Sequence, residues 1–415
     1  MPAVNADTVE LAGRTPIEST TSVERFETAR VATVSSAHFV HDTYTAFLSP
    51  LLPVLIENLS LTKTAAGLLS VFYQFPSLLQ PLVGHLGDRI NLKILVIIAP
   101  TVSAGLMTLL GIAPTYALLA LLLVVAGLNS AGLHAIGPVI VGTMSGKWLG
   151  RGMSFWMVAG ELARTLGPLI LVSTVALLTP RGLPWLVFGG VAASLFLYLR
   201  LRNVPDYRPP AANRKAWGSA IQSIRPLIFI LAGMIFTRGL VFASLTTFLP
   251  TYLTESGAGL WLAGASLSVM EAAGVVGALF GGVISDRLGR KRIMVVMSLA
   301  APLAVLLLIN VRGWLQFPVL MLVGLTLLST GPVILALVQE QARGSRALAN
   351  GIYMALNFAL TSLSTLLVGL LSDRFGLHTA FMISALVMLT GMPFVLKLPE
   401  VAPPPEQAAG TASQG

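Results

Sequence analysis

The sequence alternates long apolar runs with short polar breaks, and the runs are close to one length. About 20 mostly apolar residues make one helical membrane crossing. Twelve such runs are predicted: 31–57, 65–86, 92–112, 115–145, 151–178, 183–201, 225–252, 260–284, 292–311, 314–341, 348–371 and 376–397. Several are longer than one crossing needs, which points to tilt or to extension past the bilayer. The one connection of any size is 202–224. It carries Pro205, Pro209, Pro210 and the basic residues Arg202, Arg208, Arg214 and Lys215, just after Arg200. It divides the chain six plus six. The predicted organisation is a tail over 1–30, with 18–30 able to form a surface helix, then a bundle over 31–201, a linker over 202–224, a second bundle over 225–397 and a tail over 398–415. The fold class is an all-α membrane protein of twelve transmembrane helices in two pseudo-symmetric six-helix bundles.

The polar breaks repeat. Gly282-Val-Ile-Ser-Asp286-Arg287-Leu-Gly289-Arg290-Lys291-Arg292 has a degenerate copy 198 residues earlier, Gly84-His-Leu-Gly-Asp88-Arg89-Ile-Asn91-Leu-Lys93. A third fragment, Gly369-Leu-Leu-Ser-Asp373-Arg374-Phe-Gly376, lies near the C-terminus. Each places Gly, or Asn in the degenerate copy, three residues after Asp, where left-handed backbone suits a tight turn. Short turns make the flanking helices antiparallel. The halves match elsewhere too: Leu51-Leu52-Pro53 with Phe248-Leu249-Pro250, and Gly167-Pro168 with Gly369. Repeated halves mark secondary transporters, whose site lies at the repeat interface near mid-membrane.

Composition agrees with a chain surrounded by lipid. Charged residues are 10% and hydrophobic ones 55%, with mean hydropathy +0.82, whereas soluble domains carry about 25% charged residues. The absence of cysteine excludes a disulfide scaffold and a thiolate metal site. A net charge of +9 invites a nucleic-acid partner, but the cations fall in the gaps between apolar runs, not along one face. With both termini inside, 20 of the 26 Lys and Arg lie inside, four lie outside (Lys63, Arg181, Arg312, Arg374) and Arg164 and Arg238 lie within helices. That is the positive-inside asymmetry. The first 30 residues lack a basic stretch followed by a short apolar core, so no secretory signal is expected there.

Twelve helices in two halves, with Asp286-Arg287-Leu-Gly289-Arg290-Lys291 between the eighth and ninth, resemble the major facilitator superfamily over about 31–397. A narrower resemblance is to its fosmidomycin-resistance group of bacterial efflux proteins. That likeness rests on Ser36-Ala-His38-Phe-Val-His-Asp42, Pro50-Leu-Leu-Pro53, Gln80-Pro81 with Gly84, the His134 region, Leu166-Gly167-Pro168 and Gln339-Glu340. The chain departs from the group at Leu133-His134-Ala135, where the pattern is Phe-His-Pro, and at Glu161 and Arg164, where relatives carry small or amide residues. Gly167-Pro168 is similar to part of the fifth-helix signature of facilitator antiporters, with Leu171 and Val172 in place of its trailing glycines, and points modestly to export. The resemblance implies that Gly84, Asp88 and Arg89, with Gly282, Asp286, Arg287, Gly289 and Arg290, form gating motifs. In these, Asp88 and Asp286 would accept hydrogen bonds from helix N-termini and basic side chains.

A charge at the bilayer centre costs ~2.5–3.5 kcal/mol or more, so it is retained for function and faces protein or water. Asp42, Glu161, Arg164, Arg238 and Glu271 each sit ten to thirteen residues into their runs, roughly 15–20 Å deep at 1.5 Å per residue. Glu161 and Arg164, at i and i+3, share a helix face. They are either a neutral pair docking the fifth helix or a proton-carrying carboxylate tuned by its cation. His38 and Asp42, at i and i+4, are either a packing hydrogen bond or a proton relay, and His134 is either a packing histidine or a third member. Arg238 and Glu271 either pair across helices or leave Arg238 for an anionic substrate; the resemblance favours a structural or gating role for Glu271. Asp42, Glu161, His38 and His134 are thus the proton-coupling candidates, and Arg164, Arg238 and Glu271 the substrate-binding ones. The histidine spacing over two helices is no metal signature, so neither metal nor cofactor is expected. No phosphate-binding loop and no nucleophile–base set is present, which excludes ATP drive and argues against an enzyme. The expected protein is a monomer in the bacterial inner membrane, both termini cytoplasmic, with a small-molecule substrate, protons and the bilayer as partners and no nucleic acid. It exports a small organic compound in exchange for protons; the alternative is proton-coupled import of an anionic metabolite.

Overall fold

The computed structural model describes residues 26–87, 90–146, 148–203, 217–341 and 346–399. The described chain is helical throughout: α1 (Thr28–Thr45), α2 (Leu48–Leu59), α3 (Lys63–Gln74), α4 (Gln80–Gly87), α5 (Lys93–Leu109), α6 (Tyr116–Met144), α7 (Leu149–Leu178), α8 (Val187–Leu201), α9 (Trp217–Glu255), α10 (Leu260–Leu288), α11 (Arg290–Asn310), α12 (Gln316–Leu328), α13 (Thr330–Gln341), α14 (Arg346–Thr390) and α15 (Met392–Leu396). Ten helical stretches among the described residues are long and apolar enough to cross a membrane. The expected second run, 65–86, is not among them. It is broken into α3, a 3-10 segment over Phe75–Leu79, and α4. The expected last two runs form the single helix α14, bent where Gly376 takes φ +80°.

Proline explains the breaks that the smooth apolar pattern hides. A proline ring clashes with the carbonyl four residues earlier and supplies no N–H. Pro50 therefore interrupts the helix at Ala46, between α1 and α2; Pro76 opens the 3-10 segment; and α12 ends at Leu328, four residues before Pro332. Two charged turns keep their glycine geometry, with Gly289 at φ +94° and Gly376 at φ +80°. Asn91 does not share it: its Oδ1 accepts the Lys93 amide at 2.9 Å, a local turn that needs no left-handed residue.

The outer faces are apolar. On α8, Phe188, Val191, Leu195 and Leu199 form one exposed stripe, and on α11 so do Leu299, Leu303 and Leu307. Exposed apolar stripes at helical spacing suit lipid, not water. Inside, glycines bring helices together. A Cβ on Gly277 of α10 would stand 2.5 Å from the Leu325 carbonyl oxygen of α12, and one on Gly167 of α7 would stand 2.6 Å from the Thr43 carbonyl oxygen of α1. Gly167 thus acts through close packing of α7 on α1.

The two halves meet through α3 with α14, α7 with α10, and α2 with α9 and α10. Ser49 donates to the Thr247 carbonyl at 3.0 Å, joining residues one repeat length apart. Trp261 Nε1 donates to Ser173 Oγ at 3.2 Å. These contacts gather at the end holding residues 49–64, 247–261 and 369–376.

Candidate functional site

Asp42 is the centre of a polar cluster inside the first half. It projects from α1, whose next face toward α5, α6 and α7 also carries His38 and His41. The expected i, i+4 pair forms: His38 Nε2 lies 3.1 Å from Asp42 Oδ2. Two rings join it, with His134 Nε2 of α6 3.6 Å and His41 Nε2 3.8 Å from Asp42 Oδ1. Asp42, His38 and His41 are buried, while His134 keeps 29% side-chain accessibility. Each ring is held from behind. His38 Nδ1 donates to the Trp156 carbonyl at 2.9 Å, and the ring stacks on the Trp156 indole with centroids 4.1 Å apart. His134 Nδ1 donates to the Ser130 carbonyl at 2.9 Å. His41 Nδ1 meets Ser103 Oγ, which gives its own proton to the Ala99 carbonyl at 2.8 Å. Asn129 donates to Ser103 Oγ at 2.9 Å and Tyr73 to Ser130 Oγ at 3.2 Å. Gly160 of α7 leaves room for this: a Cβ there would stand 2.5 Å from His38 Cε1.

Sequence reasoning left out Ser103, Asn129 and Ser130. Their signal was present, as isolated polar residues in otherwise apolar runs. It was weak because serine in a membrane helix usually bonds its own backbone.

A second group ties the halves together. Arg164 pairs with Glu161 one turn away on α7, as the i, i+3 spacing predicts, and its Nε also lies 3.8 Å from Glu271 Oε2 of α10. Glu271 is buried, whereas Arg164 keeps 43% side-chain accessibility and lines the space between α7 and α10. One guanidinium thus faces two carboxylates, so the trio holds one uncompensated site for positive charge.

Of the two alternatives for Arg238, the pair with Glu271 does not form. Arg238 Nη2 donates to the Leu327 carbonyl at 3.1 Å, and its guanidinium lies over the Phe242 ring, 5.2 Å from the centroid. The Leu327 carbonyl lies at the C-terminal end of α12, where a cation is favoured, and it also accepts the Thr330 hydroxyl at 2.7 Å. Among the described residues no carboxylate lies within ion-pair reach of Arg238, and its buried Nε has no partner.

Of the expected gating motifs, Asp88 and Arg89 lie outside the described residues, as do side-chain details at Gly84, Gly282 and Asp286. Arg287 is exposed, Gly289 makes the turn, and Arg290 donates to Ser285 Oγ at 2.7 Å, within its own motif. Hydrogen bonds of the kind the resemblance implies for Asp88 and Asp286 are seen at Asp373. Its carboxylate accepts the Lys63 amide at 2.6 Å, the Thr64 amide at 2.9 Å and the Thr64 hydroxyl, capping the N-terminus of α3 in the other half. Lys63 Nζ pairs with Glu255 of α9 alongside. A carboxylate at a helix N-terminus is stabilising. Asp373 is exposed, so a discounted ~0.5–1.5 kcal/mol follows for its hydrogen bonds. Asp373→Ala is expected to raise by roughly 3–10-fold the fraction of molecules open at this end. Thiol labelling of a single cysteine placed at Ser60 would measure it, in a chain that has no cysteine of its own; unchanged labelling would remove the latch.

Comparison with known proteins places this geometry in a family. The chain is 24% identical over 370 residues to the fosmidomycin resistance protein of Escherichia coli (strain K12), covering 86% of this chain and 90% of that one. Its fold is similar to that of a bacterial homologue of the human lysosomal transporter Spinster, solved in an inward-facing, unoccupied conformation (TM-score 0.71, 16% identity, 90% of this chain and 95% of that chain). It is similar also to a D-xylose–proton symporter (TM-score 0.69, 16% identity, 89% and 96%). The pattern described as Major Facilitator Superfamily matches residues 34–365 and 276–414. With that match over most of the chain, helical halves joined across a charged interface and a curated relative of nearly equal length, the chain belongs to the major facilitator superfamily of membrane transporters and resembles its fosmidomycin-resistance group.

Proposed function

We propose that this protein is a proton-coupled antiporter that exports a small organic compound by alternating access. The observation that carries the reading is Arg164, one cation shared by a carboxylate of each half. A proton on Glu161 or Glu271 removes one of the two attractions and so changes how strongly α7 holds α10. Coupling needs such a group, because a ligand moves an equilibrium only by its differential affinity for the two states. In the proposed cycle a proton arriving from outside neutralises Glu161, or Asp42 in the adjoining cluster, and frees the compound. Release of that proton inward resets the site.

Several further observations support the reading. Twelve crossings in two six-helix bundles are part of this reading, supported by the bend of α14 at Gly376 and by taking 63–87 as one broken crossing. With Lys and Arg placed inside, both termini are cytoplasmic, and the Asp373, Lys63 and Glu255 contacts close the outer end. That is the state named for the Spinster homologue. The curated relative is named for resistance to fosmidomycin, which favours export. The protein acts as a monomer in the bacterial inner membrane.

Import of an anionic metabolite with protons is the second reading, favoured by the unpartnered buried Nε of Arg238. Direction separates the two. Expression that raises tolerance to a toxic compound and lowers its cell content supports export. Accumulation of a labelled anionic metabolite that Arg238→Ala abolishes would overturn it.

A further inference from the structure

The cluster around Asp42 holds more lone pairs than protons can satisfy. A carbonyl oxygen can only accept, so His38 and His134, bonded through Nδ1 to the Trp156 and Ser130 carbonyls, carry their proton on Nδ1. In the neutral ring Nε2 then presents a lone pair, and both lone pairs aim at the Asp42 carboxylate. His41 differs: its Nδ1 faces the Ser103 hydroxyl and, at 3.4 Å, the Asn129 amide nitrogen, with Nε2 toward Asp42. One added proton settles one contact, that between His38 and Asp42 Oδ2. It leaves Asp42 Oδ1 and His41 Nε2 buried without a hydrogen-bond partner among the described residues.

We propose that this cluster binds one divalent transition-metal ion of the zinc class, with His38 Nε2, His134 Nε2 and an Asp42 oxygen as ligands and the fourth position left for water. The first three ligand atoms lie within 4.8 Å of one another. Zinc bonds of about 2.0–2.1 Å in a tetrahedron put ligand atoms roughly 3.4 Å apart. His38 Nε2 stands 3.1 Å from Asp42 Oδ2 and His134 Nε2 3.6 Å from Asp42 Oδ1, on either side of that edge length. The backing matches what metal-bound imidazoles need: Nδ1–H bonded to a carbonyl or hydroxyl fixes ring and tautomer and makes Nε2 the better donor. Imidazole and carboxylate without sulfur suit zinc, cobalt or nickel, not copper(I). The ion would reach the site past His134, the most accessible of the three rings. The spacing over α1 and α6 hid this arrangement because the fourth helix is brought to the first only by folding. The inference goes beyond the transport reading and does not rest on it.

Cobalt(II) is the probe, because its tetrahedral complexes absorb visible light. Full-length protein purified without a polyhistidine tag is titrated with Co2+ in detergent. The expected result is visible bands that saturate at one ion per chain and vanish on adding one equivalent of Zn2+. Co2+ affinity is expected to fall by more than about 100-fold in Asp42→Asn and His134→Gln, beyond the effect of losing a backing group, and to be unchanged in His378→Gln, whose ring stacks on Tyr252 of α9. Absent bands, or bands kept in both site variants, would overturn the proposal. Should neither variant elute as a single species, X-ray absorption of the zinc-loaded wild-type protein decides: two or three coordinated imidazoles support the site, and fewer overturn it. Failure here leaves proton-coupled export standing, since export is read from compound movement in the absence of added metal.

Discussion

Arg164→Ala is expected to lower export by roughly 10–100-fold. The substitution leaves two carboxylates facing each other across α7 and α10 with no cation between them. Truncating one partner of a fully buried pair costs ~3–5 kcal/mol. Arg164 keeps 43% accessibility, so solvent screening reduces the effect. About 1.5–3 kcal/mol is the scale for hydrogen bonds to charged groups, and 1.4 kcal/mol is tenfold. Arg164→Lys keeps the charge but not the planar fork that reaches two carboxylates at once, and is expected to fall between. Initial rates of compound loss from preloaded cells measure both. Wild-type rates in Arg164→Ala would show that the tie between halves is packing alone.

Gly324→Ala is expected to be nearly as damaging, though it lies on neither charged helix. A Cβ at Gly324 of α12 falls inside the contact shell of the Met270 carbonyl oxygen, and 3.0 Å from the Gly274 amide nitrogen. Both neighbours are backbone, so nothing can rotate away; α10 itself must shift. Overpacking of this kind costs ~1–3 kcal/mol. Met270 precedes Glu271, so the shift also carries that carboxylate away from Arg164. The expected outcome is a lowered unfolding midpoint in detergent together with reduced export at a temperature where the variant is folded. A lowered midpoint with full export would mean that the place of Glu271 does not matter.

Much of this was legible in the chain. Apolar run length located nine of the twelve runs to within a few residues, but neither the break within 65–86 nor the joining of the last two runs in α14. The i, i+3 and i, i+4 spacings gave Glu161–Arg164 and His38–Asp42, because those contacts are fixed by helix geometry alone. The glycines three residues after Asp gave the turns at Gly289 and Gly376. What was missed depended on how helices pack. His134 stayed between a packing role and a third member, because nothing in the spacing of α1 and α6 decides whether it meets Asp42. The meeting of Arg164 with Glu271 follows from the rotation of α7 against α10, set partly by Gly264 receiving Val172. Arg238 was left between Glu271 and an anionic substrate because charge at similar depth cannot choose, and the nearby Leu327 carbonyl at the end of α12 takes its Nη2. Asp373 was noticed as a third copy of the turn, but its partners on α3 belong to the other half.

The most direct test uses purified protein in proteoliposomes with a pH-sensitive dye inside and a panel of small organic compounds outside. Proton-coupled antiport predicts that at least one compound moves protons in the opposite direction, and that a pH gradient drives that compound uphill. Glu161→Gln, Asp42→Asn or both would slow the exchange. Compound movement without proton movement, or wild-type exchange in both variants, would contradict the account.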